Sequence, residues 1–164
     1  MPVLHVMRHA KSDRSAPVAD HDRPLAARGR DAAPRVGRHL AASYPIPDAV
    51  HVSTARRAVE TVELALGAFD SPPPVHEHVA LYLADAASLC AHLAAVDDRV
   101  SSLLLVGHNP GLAQLVVDLA GEAARGRVGK LPTGTLVTCE VAAWHDVDAR
   151  GARLLEVVTP RELA

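Results

Sequence analysis

The 164-residue chain carries a formal net charge of −2, and 49% of its residues are hydrophobic although only 2% are aromatic. The length favours a single domain over residues 1–164, and the near-neutral charge gives no basis for binding nucleic acid. The hydrophobic content excludes a disordered chain, and the scarcity of aromatic residues predicts a core built from alanine, valine and leucine.

Short apolar runs alternate along the chain with longer stretches that have a helical pattern. This alternation predicts an α/β fold, a three-layer αβα sandwich with a mostly parallel central sheet of about six strands. The last two runs follow each other without a helix and flank the polar turn 145–151, which predicts an antiparallel hairpin at one edge. Strands are predicted near 3–7, 49–53, 75–79, 102–107, 135–142 and 153–158, and helices near 25–43, 55–68, 85–96 and 110–120.

The segment 121–132 contains glycine and three basic residues, Arg125, Arg127 and Lys130. Such a composition is typical of a loop. Two interpretations remain open: a solvated connection, or a mobile basic rim above a binding site.

The two cysteines, Cys90 and Cys139, form no CxxC pair. Free thiols fit a reducing compartment. The N-terminus lacks the pattern of a signal peptide, and no apolar run approaches the ~20 residues that cross a bilayer. We therefore expect a cytoplasmic protein without a membrane partner.

Polar residues follow three of the predicted strands at their carboxyl ends. Arg8 and His9 follow the first strand, Ser53 and Arg57 the second, and His108 the strand 102–107. Open α/β sheets bind ligands at this edge, so we expect these side chains to share one rim. Imidazole and guanidinium groups without a cluster of carboxylates suit a phosphoryl group better than a divalent metal.

Several alternative chemistries lack their motifs. Neither Cys90 nor Cys139 has an arginine six residues later, and no Gly-Lys-Ser/Thr or Gly-x-Ser-x-Gly occurs. Among ten histidines, His76 and His78 form the only close pair in sequence, with no third ligand near them. We therefore predict no metal site and no cofactor, and activity that survives a chelator.

Four sequence blocks together resemble the histidine phosphatase superfamily, which has a phosphoglycerate mutase-like fold. The motif Arg-His-Ala-Lys, the short length and Leu131-Pro132-Thr133-Gly134 resemble its SixA branch, the phosphohistidine phosphatases. The resemblance spans about residues 3–144. The blocks are Arg8-His9-Ala10-Lys11-Ser12; Asp22-Arg23-Pro24-Leu25 with Arg28-Gly29; Ser53-x-Ala55-x-Arg57-Ala58-x-Glu60-Thr61; and Val106-Gly107-His108-Asn109-Pro110-Gly111.

The resemblance implies a phosphatase that works through a phosphohistidine intermediate. It implies that His9 is the nucleophile and that Arg8 and Arg57 clamp the non-bridging oxygens. His108 would donate to the same oxygens at the start of a helix, whose positive end adds to the field. In the third block the family's arginine lies two residues after the alanine, a position that Arg57 occupies here. Arg56 is expected to face solvent or the rim.

Four further residues are expected to bind substrate: Lys11, Ser12, Asn109 and Thr133. Two of them have open alternatives. Lys11 either pairs with the incoming phosphate or caps its loop, and Asn109 either orients His108 or holds the turn.

The chain departs from the superfamily pattern at two places. Ala26 stands where a helix-capping residue is usual, so the cap is lost or is supplied by Asp22. The stretch between Thr61 and Val100 is too short for the insertion that carries a general acid in larger members. Glu77 is the nearest candidate acid, and a surface carboxylate is the alternative.

An imidazole leaving group needs little help from an acid, whereas an alkoxide needs it strongly. The expected function is therefore removal of phosphate from phosphohistidine on a signalling protein. A general phosphomonoesterase acting on a small molecule or nucleotide is the first alternative. A non-catalytic anion-binding module is the second.

Overall fold

The computed structural model describes residues 1–148 and 151–164. Every predicted strand is present within one or two residues of its expected bounds. The strands are β1 (Val3–Arg8), β2 (Ala49–Ser53), β3 (Val75–His78), β4 (Ser102–Gly107), β5 (Leu136–Glu140) and β6 (Arg153–Val158).

The six strands form one sheet in the order β3-β2-β4-β1-β5-β6. Strands β3, β2, β4 and β1 are mutually parallel, whereas β5 is antiparallel to both β1 and β6. The mostly parallel sheet with an antiparallel edge is thereby confirmed. Because β1 lies in the interior of the sheet, Arg8 and His9 emerge near the middle of its carboxyl-terminal edge.

Helices cover both faces of the sheet. They are α1 (Ala27–Ser43), α2 (Arg56–Leu66), α3 (Ala86–Ala94), α4 (Gly111–Ala120) and the single turn α5 (Arg125–Val128). Helices α1 and α2 pack on the face where Val50 and Val52 are buried. Helices α3 and α4 pack on the face where Leu103 and Leu105 are buried. Successive strand residues point to opposite faces, so the continuous apolar runs of the sequence supply both cores.

The edge hairpin is formed by β5 and β6, with a shift in register between Thr138 and Cys139. After β5 the chain is anchored by Trp144, which is fully buried and donates its Nε1–H to the carbonyl of Val100 at 2.7 Å. This contact holds the chain that follows β5 against the chain that leads into β4. The predicted turn 145–151 includes residues 149 and 150, which lie outside the described residues.

The segment 121–132 is not the purely polar loop that its composition suggested. It contains a 3-10 turn, Glu122–Ala124, followed by α5, and Ala124, Val128 and Leu131 are buried in the core with α4. Their spacing of three and four residues is that of one helical face, a signal that the glycines and arginines obscure. The segment therefore anchors one wall of the fold.

Helix α1 begins without a side-chain cap, as Ala26 leads one to expect, and Asp22 does not replace it. Instead the backbone N–H of Ala26 donates to the carbonyl of Lys11 at 2.9 Å. A Cβ atom on Gly29 would lie 2.2 Å from that same carbonyl oxygen, so only glycine permits this approach. The start of α1 thus supports the loop that follows β1.

Both cysteines are free thiols; Cys139 is buried in β5, and Cys90 is half-buried in α3. Burial raises the pKa of Cys139 to about 12, so this thiol is unreactive at neutral pH. Within residues 1–148 and 151–164, no helix has the length and apolar character needed to span a bilayer.

Candidate active site

A polar pocket of about 400 Å³ opens above the carboxyl ends of β1 and β4 and the start of α2. The structure brings Arg8, His9, Arg57 and His108 together there, although they come from distant parts of the sequence. The imidazole centroids of His9 and His108 are 5.2 Å apart. This is the rim that the three strand ends predicted.

His9 lies at the base of the pocket and is only 6% exposed. Its Nδ1 lies 2.7 Å from the carbonyl oxygen of Ala10. A carbonyl can only accept, so Nδ1 carries the proton and Nε2 keeps a free lone pair. Burial, reinforced by His108 and Arg57, lowers the pKa of His9 to about 3. The ring is therefore neutral at physiological pH.

His108 is buried at the end of β4, and both of its ring nitrogens have partners. Nε2 lies 2.8 Å from the hydroxyl oxygen of Ser53, and an Arg57 amino group donates to Nδ1 over a long 3.4 Å. Burial and the Arg57 charge lower the pKa of His108 to about 4. Because Ser53 can donate as well as accept, Nδ1 can take the proton when an anion arrives between His108 and Arg57.

Arg57, in the first turn of α2, is 2% exposed and points its guanidinium into the pocket. It donates to the backbone carbonyl of Asp20 at 2.8 Å and to the Asp20 carboxylate at 3.2 Å. The position of α2 is fixed by Thr61, whose hydroxyl accepts from the N–H of Ala10 and donates to the carbonyl of Arg57. One threonine thus holds the loop that contains His9 and the helix that contains Arg57 together.

Arg8 donates to the carbonyl of Leu131 at 3.1 Å. Its Nε is buried without a partner, and so is the Nε of Arg57. Buried N–H groups without partners are costly, and here both belong to the guanidinium groups that line the pocket. An oxyanion accepting from such groups would relieve that cost.

Asp20, in the 3-10 turn Asp20–Asp22, is a member of the site that the sequence did not reveal. Its carboxylate accepts from the hydroxyl of Tyr82 and from the guanidinium groups of Arg23 and Arg57. The Tyr82 hydrogen bond, followed by the Arg57 charge, lowers the pKa of Asp20. At neutral pH the pocket is therefore lined by an ionised carboxylate.

Lys11, Ser12 and Thr133 line the pocket, as predicted for substrate-binding residues. Asn109 also borders the pocket, but its amide is used by the backbone. It donates to the carbonyls of Lys130 and Leu131 at 2.7 and 3.0 Å and accepts from the N–H of Ala113. Of the two roles open for Asn109, the structure favours holding the turn.

Glu77 is not brought to the pocket. It lies exposed on the edge strand β3, opposite Val52 on the sheet face covered by α1 and α2. The candidate general acid is thereby removed, and Asp20 is the only carboxylate among the described residues that line the pocket.

Sequence reasoning overlooked Tyr82 as well as Asp20, and it gave Ser53 no role beyond its place at the strand end. Tyr82 lies in an irregular segment, where no periodicity shows which way a side chain points. Arg23, which the second sequence block includes, bonds Asp20 and lines the pocket. Arg56, as expected from the register of its block, stays exposed and lies 3.6 Å from Glu60.

The buried histidines predict a strong loss of stability in acid. Burial lowers the pKa values of His5, His9 and His108 to about 4, 3 and 4, against 6.5 in an unfolded chain. The stability that these neutral histidines give the folded state is fully present above pH 6.5 and is lost as the pH falls toward 4. The reason is that the unfolded state binds protons at a higher pH than the folded state does. We expect the three histidines together to take up on the order of three protons on unfolding at pH 5. Each proton changes the free energy of unfolding by about 1.4 kcal/mol per pH unit.

Urea titrations between pH 5 and pH 8 measure this slope. Substitution of the exposed His145 by glutamine should leave it unchanged. A free energy of unfolding that is constant between pH 5 and pH 6.5 would contradict the assignment of neutral, buried imidazoles.

Comparison with known proteins identifies the family. The model of the histidine phosphatase superfamily (branch 1) matches residues 4–81. The uncharacterized protein Rv1276c of Mycobacterium tuberculosis is 40% identical over 162 residues, covering 94% of this chain and 100% of that protein.

Two solved structures are similar over nearly their whole length. One, assigned as a phosphohistidine phosphatase SixA from Nakamurella multipartitia, is 31% identical, covers 97% of this chain and 96% of its own, and has a TM-score of 0.83. The other, assigned as SixA from Agrobacterium tumefaciens, is 26% identical, covers 98% and 99%, and has a TM-score of 0.85.

The fold and the pocket of paired histidines and arginines define a phosphatase, a hydrolase of phosphoryl groups. The chain belongs to the histidine phosphatase superfamily, in its SixA-type branch. The resemblance stated from the four sequence blocks is confirmed.

Proposed function

We propose that the protein removes phosphate from phosphohistidine on another protein, by way of a phosphohistidine formed on its own His9. The observation that carries this proposal is the pairing of a neutral, free Nε2 on His9 with an ionised Asp20. The pocket thus offers a nucleophile, while its described lining offers no protonated acid for a poor leaving group. Its two arginines complete a binding site for the transferred group.

In the first step, the lone pair of His9 Nε2 attacks phosphorus while the bond from phosphorus to the substrate nitrogen breaks. The electron pair of that bond goes to the departing imidazole, whose other ring nitrogen carries a proton taken up from solvent, so the ring leaves as neutral imidazole. Arg8 and Arg57 bind the non-bridging oxygens with charge-assisted hydrogen bonds, and His108 donates from Nδ1 with Ser53 bonded behind it.

In the second step, a water molecule attacks the phosphorus of the phosphoenzyme. The bond to Nε2 breaks, its electron pair returns to the ring, and both water protons leave with inorganic phosphate. His9 is again neutral, with Nδ1–H donating to the carbonyl of Ala10. The charges that stabilise both steps belong to protein side chains, so the proposed reaction persists in the presence of a chelator.

The absence of a usable acid at the pocket selects the substrate class. General acid catalysis is worth roughly 10²–10⁴-fold for a leaving alkoxide. A departing imidazole is stable when neutral and protonates near neutral pH, so Asp20 need not supply a proton. A phosphorus–nitrogen bond therefore suits this pocket better than a phosphorus–oxygen bond.

A basic cleft of about 620 Å³ adjoins the pocket and shares Lys11, Arg28 and Thr133 with it. Arg35 and Arg161 line its far side. The acidic surface of a protein that presents phosphohistidine would complement these charges. The names of the two SixA structures, each assigned as a phosphohistidine phosphatase, support the same class.

The same cleft also favours a second candidate, a phosphomonoesterase for small molecules with a further anionic group, such as a nucleotide. The cleft has the volume for such a ligand, and its arginines would bind the second anion. The two candidates differ in the bond that is cleaved.

The test compares kcat/KM for one carrier protein phosphorylated on histidine or on serine, together with p-nitrophenyl phosphate and nucleoside monophosphates. We expect the histidine-phosphorylated carrier to be the best substrate by at least about 100-fold, the lower bound of general acid catalysis. Faster turnover of nucleotides or of the phosphoserine carrier would reverse the assignment.

The exposed Arg161 offers a matched probe because it lines the cleft but not the pocket. Substitution by alanine should raise KM for the phosphorylated carrier without affecting p-nitrophenyl phosphate. An equal loss of activity on both substrates would show that Arg161 acts through the stability of the fold.

A further inference from the structure

Four histidines gather at the edge of the sheet, on the face covered by α3 and away from the pocket. His51 lies on β2, His76 and His78 on β3, and His92 on α3. The parallel register pairs His51 with His76 and Ser53 with His78. Because His51 and Ser53 point to the same face of β2, the rings of His51, His76 and His78 all lie on that face. Helix α3 places His92 over them.

Three of these rings are close enough to share one ion. One ring nitrogen from each of His51, His78 and His92 lies within 4.8 Å of the other two. The ring centroids are 4.8 Å apart for His51 and His78, 5.1 Å for His51 and His92, and 4.7 Å for His78 and His92. All three side chains are half-buried, which holds the rings together while leaving an approach from solvent.

Hydrogen bonding within the cluster leaves one ring nitrogen without a partner. Nδ1 of His51 lies 2.8 Å from Nε2 of His92, so these two nitrogens share one proton. Nε2 of His78 is buried and has no hydrogen-bond partner. A buried polar atom without a partner is uncommon and calls for a ligand.

The titratable groups that act on His51 are all imidazoles. The groups whose charges act on His51 are His92, His78 and His76, with no carboxylate among them.

We propose that His51, His78 and His92 form a binding site for a divalent transition metal, with Zn²⁺ as its principal occupant. Neutral imidazole is a preferred ligand of zinc, and three histidines with one open position form a known zinc geometry. Zn–N bonds of about 2.0–2.1 Å require nitrogens roughly 3.3 Å apart in a tetrahedron, so the rings, whose nitrogens lie within 4.8 Å of one another, would close in around the ion. The fourth position is left to water or to His76, whose ring centroid is 5.7 Å from that of His51.

The site is separate from the catalytic pocket, since none of these histidines lines it. The two are nevertheless neighbours through β2, where His51 is two residues before Ser53, the partner of His108. Metal binding is thus independent of the proposed reaction, and a chelator that empties this site leaves the pocket's own charges in place.

Calorimetric titration of tag-free, chelator-treated protein with Zn²⁺ tests the proposal. We expect one equivalent to bind with micromolar affinity or better, and Co²⁺ to give the visible absorption of a tetrahedral site. His78→Ala and His92→Ala should each weaken binding by at least about tenfold, since even the loss of an outer-shell partner costs that much.

His39→Gln is the matched control, because His39 bonds Glu156 on the opposite side of the sheet. It should leave zinc affinity unchanged, and so should His9→Ala, which separates this site from the pocket. Equal affinity of wild type and His78→Ala, or loss of binding in His9→Ala, would overturn the proposal.

The wild-type protein alone provides a second measurement if a variant fails to fold. Crystals soaked in Zn²⁺ should show an anomalous difference peak about 2.0–2.1 Å from one nitrogen of each of His51, His78 and His92. A soaked crystal without that peak would also overturn the proposal.

Discussion

Substitution of His9 by alanine is expected to lower kcat by about 10⁴-fold or more and to abolish the phosphoenzyme. The reason is that the proposed mechanism forms its covalent bond at Nε2 of His9, and no other ring nitrogen is free among the described residues that line the pocket. Both nitrogens of His108 already have partners. Rapid quenching in alkali after mixing with a ³²P-labelled phosphohistidine protein measures the bound label, which is then released by acid.

His39→Ala serves as the control, because His39 lies on α1 and does not line the pocket. It should retain both label and turnover. If neither the wild type nor His9→Ala carries label, both phosphatase functions are excluded and the non-catalytic anion-binding module remains. Equal label on wild type and His9→Ala would assign the nucleophile to another residue.

Substitution of Arg57 by lysine is expected to reduce kcat/KM by roughly 10²–10³-fold although the positive charge is kept. The guanidinium of Arg57 spans the distance between Asp20 and His108, and a single ammonium group cannot make both contacts. Because the proposed mechanism also uses this guanidinium to bind the transferring phosphoryl group, the loss should fall mainly on kcat.

The neighbouring Arg56 gives a matched control for Arg57. It belongs to the same turn of α2 but is exposed beside Glu60. Arg56→Lys should change kcat/KM by less than about twofold, as is usual for a surface substitution. Similar losses for the two variants would show that Arg57 does not contact the reacting group.

The strands were predictable because buried parallel strands are continuous apolar runs, and Leu103-Leu104-Leu105-Val106 is such a run. Their order was not, because the position of β1 between β4 and β5 depends on contacts far apart in the sequence. The segment 121–132 was misjudged since its glycines and arginines outnumber the three apolar residues that pack.

Part of the site was predictable for the same reason. Residues at strand ends, such as His9 and His108, take their direction from the sheet. Asp20 could not be placed, because it lies in an irregular loop where side-chain direction follows from tertiary contacts.

The histidine cluster shows the limit of spacing arguments most clearly. His76 and His78 were visible as a pair, and the expectation of no third ligand near them was wrong. His51 and His92 reach them from other elements across the sheet and from α3.

The bond between Asp20 and Arg57 has a consequence for turnover. In the resting protein the aspartate acts as an internal counter-ion for the guanidinium of Arg57, which the proposed mechanism assigns to the phosphoryl group. In that mechanism an arriving anion competes with Asp20 for Arg57, and Asp20 can bond Arg57 again once the reaction ends. We therefore expect free phosphate to inhibit only weakly, because it would compete against a tethered carboxylate.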